Sequence, residues 1–185
     1  NDLDEAKKRF LLVIQKMPHT NAWADAVFNL ARCQHKEKDL KQAIATYRLL
    51  LDKAVNNLAP TDNVMSPYKN YHHRACASIS ICYESLLDFD QALAYYNKAN
   101  SEFSFQTFCG TCAMSSRQQH KARQKMLKRL VAVAKQGEDA VVQSCIRHYR
   151  RTGLLSKGIA ARFPKQISRQ LFLDLTRQQN IANID

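Results

Sequence analysis

The sequence predicts an all-α protein made of antiparallel helix pairs, followed by a basic helical extension. Apolar residues recur every three or four positions along most of the 185 residues, which is the spacing of one helix face. Only four glycines and four prolines interrupt the chain. An alanine followed four residues later by an aromatic ring occurs in three separate stretches, at Ala6/Phe10, Ala43/Tyr47 and Ala92/Tyr96.

Helical periodicity predicts eight helices and two long breaks. The helices are expected at about 4–17, 21–35, 40–55, 71–87, 90–102, 116–136, 138–151 and from 164 onward. Asn21 is the expected N-cap of the second helix, and Gly137 is the expected stop after the sixth. Turn-forming and helix-breaking residues place loops at 56–70 and 103–115.

The alanine–aromatic pairs indicate how these helices pack. The two side chains lie on one helix face, where the small one allows a neighbouring helix to approach and the ring fills the space beside it. We therefore predict a half repeat at 1–18, helix pairs at 21–55 and 71–104, and a basic extension at 105–185. Because the chain begins close to a helical pattern, we interpret it as part of a longer protein.

The spacing of residues within the helix pairs is similar to the tetratricopeptide repeat. That repeat has the pattern W-x2-L-G-x2-Y…A-x3-F…P. The matching residues are Val27, Leu30, Ala31, Ala43 and Tyr47 in the first pair, and Cys76, Ile79, Ser80, Tyr83, Ala92 and Tyr96 in the second. The chain thus resembles the tetratricopeptide-repeat family over residues 4–104, with a degenerate copy at 121–150 and a C-terminal capping helix.

This resemblance implies a right-handed α-solenoid that acts as a non-enzymatic scaffold or adaptor. Its concave face is expected to bind a peptide or a helical segment of a partner protein. The expected groove residues are Asp25, Phe28, Asn29, Arg32, His35, Arg74 and Glu84. The chain departs from the family in its spacing, since the aligned alanines are 37 and 49 residues apart instead of about 34.

Positive charge is concentrated in the C-terminal part of the chain. Residues 1–104 carry 13 Lys and Arg against 12 Asp and Glu, whereas residues 105–185 carry 15 against 4. Such a surface favours RNA or another polyanion as the alternative partner, and an equally weighted alternative is a cationic surface without a ligand. The candidate basic residues are Lys121, Lys125, Lys128, Arg129, Arg147, Arg150 and Arg151.

Motifs for catalysis or metal binding are sparse. Cys109 and Cys112 form a C-x-x-C pair, but no second pair supplies the remaining ligands of a zinc site. We therefore predict neither a metal nor a cofactor, and a metal- or redox-dependent role of this pair is the least favoured alternative. The residues 72–74 are expected to be exposed, and Cys145 is expected in the core. Lys125 and Arg129, one turn apart, could hold a carboxylate or a phosphate, and an alternative of at least equal weight is that both are solvated side chains without a ligand.

The six cysteines bear on the compartment of the protein. Several lie within amphipathic helical patterns, where a thiol serves as a small apolar side chain. This usage predicts a reducing, cytoplasmic environment. No apolar run approaches the roughly 20 residues that a membrane-spanning helix needs.

Overall fold

The structure is a computed structural model, which describes residues 2–18, 20–51, 71–101, 110–171 and 173. Every regular element within these ranges is a helix, so the predicted all-α fold is confirmed. The helices are α1 Asp2–Lys16, α2 Asn21–Lys36, α3 Leu40–Arg48, α4 Tyr71–Leu86, α5 Phe89–Ser101, α6 Gly110–Val133, α7 Glu138–Thr152 and α8 Lys157–Arg162. Single 3-10 turns follow α3 at Leu49–Leu51 and α6 at Ala134–Gln136, and residues 164–171 are again helical.

Two predicted boundaries differ from the observed ones. Thr20, not Asn21, is the N-cap of α2, because its hydroxyl oxygen accepts a hydrogen bond from the Trp23 N–H at 3.1 Å. Helix α6 begins at Gly110 instead of residue 116, since no proline interrupts the residues between. The end of the predicted helix 40–55 and the predicted loop 56–70 lie outside the described residues.

The turn between α2 and α3 and the turn between α4 and α5 share one geometry. Lys38 and Leu87 adopt positive φ angles of 66° and 64°, and an aspartate follows each of them. The Asp39 and Asp88 carboxylates accept from the backbone N–H three residues later, at 3.3 and 3.1 Å. Each aspartate N–H also donates to the carbonyl five residues earlier, at 3.0 Å in both turns. The two helix pairs therefore repeat each other in backbone geometry as well as in sequence.

The chain consists of two compact units. Unit 1 comprises residues 1–82 and 94–104. Within it, α2 packs against both α1 and α3. Ala31 and Ala43 are fully buried, and the rings of Phe28 and Tyr47 lie 5.4 Å apart. The alanine–aromatic pair of α3 thus has its predicted role, whereas α1 contributes no fully buried side chain.

Unit 2 comprises residues 83–93 and 105–185 and has a core of its own. Helices α6 and α7 pack against each other in it, and the start of α5 contributes Phe89. The core residues are Phe89, Met126, Leu130, Val141, Val142, Cys145, Ile146, Ile159 and Ile167. Residues 83–93 group with the C-terminal part, so the two compact units do not coincide with the domains predicted at 1–104 and 105–185. The domain boundary after residue 104 stays a prediction.

Two glycines end helical segments of unit 2. Gly137 has a φ of 98° and follows the 3-10 turn after α6, where a stop was predicted. Gly153 has a φ of 68° and donates its N–H to the Tyr149 carbonyl at 2.7 Å. Both positions need a left-handed backbone, which glycine adopts without a steric penalty.

Candidate functional site

Three of the predicted groove residues form a row along α2. Asp25 and Arg32 are exposed, and Asn29 between them is half-buried. The Asn29 amide donates to the Asp25 backbone carbonyl at 2.9 Å, and its own oxygen accepts from the Arg32 guanidinium at 3.2 Å. Because these residues are three and four positions apart, they lie on one face of α2.

Arg74 of α4 reaches this row from the second helix pair. Its guanidinium carbon lies 4.1 Å from the centre of the Phe28 ring and 5.9 Å from that of Tyr71. A cation above a ring is attracted by the π electrons. Phe28 itself is buried, so this residue, predicted to face a partner, instead forms the floor beneath Arg74.

Two tyrosines lie beneath the same face. Burial, together with the nearby Asp25 carboxylate, raises the pKa of Tyr71 to about 12. Burial likewise raises the pKa of Tyr47 to about 12, and the neighbouring Arg32 and Arg74 oppose that shift. Both tyrosines are therefore neutral at pH 7, and the charge of the face comes from its two arginines and one aspartate. We call Asp25, Asn29, Arg32 and Arg74 the α2–α4 face.

His35 lies one turn beyond Arg32 on α2 and contacts a cysteine. Its Nδ1 is 3.6 Å from the Cys82 sulfur. Burial lowers the pKa of His35 and raises the pKa of Cys82 to about 12. A thiol that stays protonated is a poor nucleophile, so this contact serves packing.

Glu84, the last predicted groove residue, is buried, with 0% of its surface exposed. One carboxylate oxygen accepts from Arg123 at 2.6 Å. The other accepts from the Ser156 hydroxyl at 2.5 Å and from the Gly158 N–H at 3.4 Å. A buried carboxylate needs such partners because its desolvation is otherwise unfavourable. The expectation that Glu84 faces a partner is corrected: it anchors the C-terminal segment inside unit 2.

The sequence around Glu84 does not indicate which residues form hydrogen bonds with its carboxylate. Arg123 and Ser156 lie 39 and 72 positions further along the chain. The only local indication is that Ser156 precedes a short helix, where its hydroxyl oxygen caps α8 by accepting from the Ile159 N–H at 3.1 Å. Sequence spacing alone therefore assigned Glu84 to the wrong environment.

The predicted basic residues lie on α6 and α7, and most are solvent-exposed. Arg129 is half-buried, and the exposed members are Lys121, Lys125, Lys128, Arg147, Arg150 and Arg151. The structure brings three of these cations near one buried side chain that sequence reasoning missed. Burial lowers the pKa of His148, and the charges of Arg129, Lys125 and Arg151 lower it further.

The histidines at the start of α4 are not exposed as predicted. His72 is buried, with its Nδ1 4.0 Å from the Cys76 sulfur. His73 is half-buried, with its Nδ1 2.6 Å from the Ala99 carbonyl oxygen. His72 is therefore buried beside a cysteine of its own helix, and His73 contacts the C-terminal part of α5.

Four cysteines with described side chains are buried, namely Cys33, Cys76, Cys82 and Cys145. Cys145 lies in the core of unit 2, and burial raises its pKa, as expected of an unreactive thiol. Cys109 and the side chain of Cys112 lie outside the described residues. Over the ranges that the structure describes, no group of three or more His, Cys, Asp or Glu side chains is arranged to hold a metal ion, and no helix is long and apolar enough to cross a bilayer.

Two segments of the chain match family models that are both described as tetratricopeptide repeat. The matches cover residues 25–56 and residues 73–102, and each includes one of the two helix pairs with its aspartate-capped turn. No curated protein and no solved structure matches the chain. Together with the helix pairs, the two matches identify tetratricopeptide repeats in these two segments of the chain.

Proposed function

We propose that this chain is a non-enzymatic scaffold or adaptor that binds a segment of a partner protein through the α2–α4 face. Tetratricopeptide repeats generally mediate protein–protein interaction. The observation that carries the proposal is the position of Arg74, which lies over Phe28 of α2. It brings polar side chains from the first helix of each pair to one face of unit 1.

The chemistry of this face favours an acidic segment. Arg32 and Arg74 supply two guanidinium groups, and Asp25 supplies the single carboxylate of the row. A guanidinium binds a carboxylate through two parallel hydrogen bonds. Asn29 adds an amide of the kind that pairs with a peptide backbone. We therefore expect the partner segment to contain aspartate, glutamate or a terminal carboxylate.

A peptide-display selection on the immobilised full chain tests this proposal. The peptides obtained are then titrated by calorimetry against an Arg32→Gln/Arg74→Gln variant. We expect a loss of affinity of about 10- to 100-fold, because a few central residues carry most of the binding free energy. The control is Lys16→Gln/Lys41→Gln, which removes the same charge from exposed positions of α1 and α3.

The result that contradicts the proposal is equal affinity of the arginine variant and the parent chain, or an equal loss in the control. The exposed lysines and arginines of α6 and α7 favour the alternative partner, RNA or another polyanion. Binding to phosphates weakens steeply as salt rises. A captured partner that is lost on nuclease treatment would support the polyanion, whereas a partner retained after nuclease supports protein binding.

A further inference from the structure

Helices α6 and α7 pack around a histidine that is buried close to the surface. Met126 and Leu130 of α6 share a core with Val142 and Ile146 of α7. His148 follows on the inner side of α7 and is only 5% exposed. The end of this helix–helix contact therefore holds a polar ring where the rest of the contact is apolar.

Two buried polar atoms on this side of α7 have no hydrogen-bond partner. They are the Nε2 atom of His148 and the hydroxyl oxygen of Ser144. Ser144 is 1% exposed, and four residues place it one turn before His148 on the same helix face. An unsatisfied buried polar group is unfavourable, so a pair of them, one turn apart, indicates a place for a polar ligand.

The charges of three cations from α6 and α7 act on the same histidine. Lys125 and Arg129 lie one turn apart on α6, and Arg151 follows His148 by three residues on α7. Burial disfavours a protonated imidazole at His148, and the charges of these three residues disfavour it further. None of the three forms an ion pair with a carboxylate in the part of the chain that the structure describes. Lys125 and Arg151 are exposed and Arg129 is half-buried, so a dissolved anion can reach them.

The four basic residues and the serine constitute what we call the α6–α7 basic cluster: Lys125, Arg129, Ser144, His148 and Arg151. Because three permanent cations have no carboxylate partner, we expect their ligand to carry more than the single negative charge of a carboxylate. A phosphomonoester carries about −1.5 to −2 at pH 7 and has three terminal acceptor oxygens. A phosphodiester has a single charge and two such oxygens.

We propose that the α6–α7 basic cluster binds a phosphomonoester group. The guanidinium of Arg129 and the ammonium of Lys125 pair with its oxygens from α6, and Arg151 does so from α7. The unpaired Ser144 hydroxyl and His148 Nε2 are buried, so they become inner hydrogen-bond partners only when the bound phosphate displaces the side chains that cover them. The site lies within unit 2 and does not depend on the α2–α4 face, so the two proposals succeed or fail separately.

Small anions of defined charge test the proposal on the full chain. Methyl phosphate, dimethyl phosphate and acetate are titrated at constant ionic strength, and the imidazole resonances of His148 are followed by NMR. We expect methyl phosphate to bind at least about tenfold more tightly than the other two anions, because a second charge adds charge-assisted hydrogen bonds. A phosphoserine peptide and inorganic phosphate then distinguish a protein-borne phosphate from a free one.

Two double variants that remove equal charge test whether methyl phosphate binds at the α6–α7 basic cluster. Lys125→Gln/Arg129→Gln is expected to weaken methyl phosphate binding about tenfold or more. Lys128→Gln/Arg147→Gln removes the same charge from exposed positions of the same two helices and is expected to change it less than about twofold. Since all four residues lie at or near the surface, the variants are expected to fold.

Three outcomes would overturn the proposal. The first is equal binding of methyl phosphate, dimethyl phosphate and acetate. The second is an equal loss of affinity in both double variants, which would indicate a diffuse cationic surface. The third is a shift of the His148 resonances by an RNA duplex at a lower phosphate concentration than methyl phosphate requires, which would indicate polyanion binding.

Discussion

Glu84 and His148 are both buried ionisable residues of unit 2, but their polar atoms are satisfied to different degrees. The Glu84 carboxylate accepts three hydrogen bonds from Arg123, Ser156 and Gly158. The Nε2 atom of His148 has no partner. Because burial of an unpaired polar group is costly, we interpret the first residue as a structural anchor and the second as part of a ligand site.

The anchoring role of Glu84 predicts a large effect of a small substitution. Glu84→Gln keeps the shape of the side chain but removes the charge opposite Arg123. We expect the free energy of unfolding to fall by about 2–3 kcal/mol, because a largely buried guanidinium loses its counter-charge. Urea denaturation followed by circular dichroism measures this change.

Glu138→Gln is the matched control for that measurement. Glu138 also pairs with an arginine, Arg162, at 3.0 Å, but both side chains are more than one-third exposed. An exposed ion pair contributes about 0–1 kcal/mol. Similar losses in Glu84→Gln and Glu138→Gln would show that burial of the Glu84 carboxylate has no special effect.

At the scale of the element, the two helix pairs are closed by turns that repeat in backbone geometry. Lys38 and Leu87 occupy the left-handed conformation directly before a capping aspartate. That conformation costs roughly 1–2 kcal/mol for a residue with a β-carbon. Neither position carries a glycine, so both turns are held by the capping and backbone hydrogen bonds around them.

Lys38→Gly is therefore expected to stabilise the protein. Lys38 is exposed, so the substitution removes backbone strain without removing buried contacts. After the added entropy of the unfolded chain is subtracted, the gain should be about 0.5–1 kcal/mol, measured as a higher urea midpoint. Ala45→Gly, at an exposed position inside α3, should instead cost about 1 kcal/mol. A Lys38→Gly variant no more stable than the parent would contradict this account of the turn.

At the scale of the whole molecule, most of the C-terminal cations within the described residues lie at the surface. Arg123 pairs with the buried Glu84, and Arg162 forms an exposed ion pair with Glu138. Most of the remaining cations of α6 and α7 face solvent. The charge imbalance read from the sequence thus corresponds to an accessible basic surface, on which Lys125, Arg129 and Arg151 are distinguished by their closeness to His148.

Three histidines predict that the protein loses stability in acid. Burial lowers the pKa of His35, His120 and His148 below the ordinary value of 6.5. The unfolded chain then binds more protons than the folded one below about pH 6.5, so the free energy of unfolding falls as pH decreases. Urea midpoints at about pH 7.5 and about pH 5.5 measure the loss, and His148→Gln should reduce it. An unchanged acid loss in that variant would contradict the assignment for His148.

Sequence reasoning succeeded where a structure depends on neighbours in the chain. Helical periodicity, the burial of Ala43 and Ala92, and the stop at Gly137 all follow from residues within a few positions of each other. It failed for Glu84, whose spacing relative to Arg74 suggested a shared face. A carboxylate is drawn inward only where tertiary packing supplies donors, and those donors come from distant parts of the chain.

The sequence by itself determined that this chain is all-α, that it repeats a helix pair, and that its cations are concentrated toward the C-terminus. These properties are set by side-chain size, periodicity and charge, which act locally or by simple summation. Only the tertiary structure decided that Arg74 lies over Phe28, that Glu84 is an internal anchor, and that His148 is buried where the charges of three cations lower its pKa. Such contacts depend on how helices distant in sequence pack, and the free energy of burying a charge is defined only once its surroundings exist.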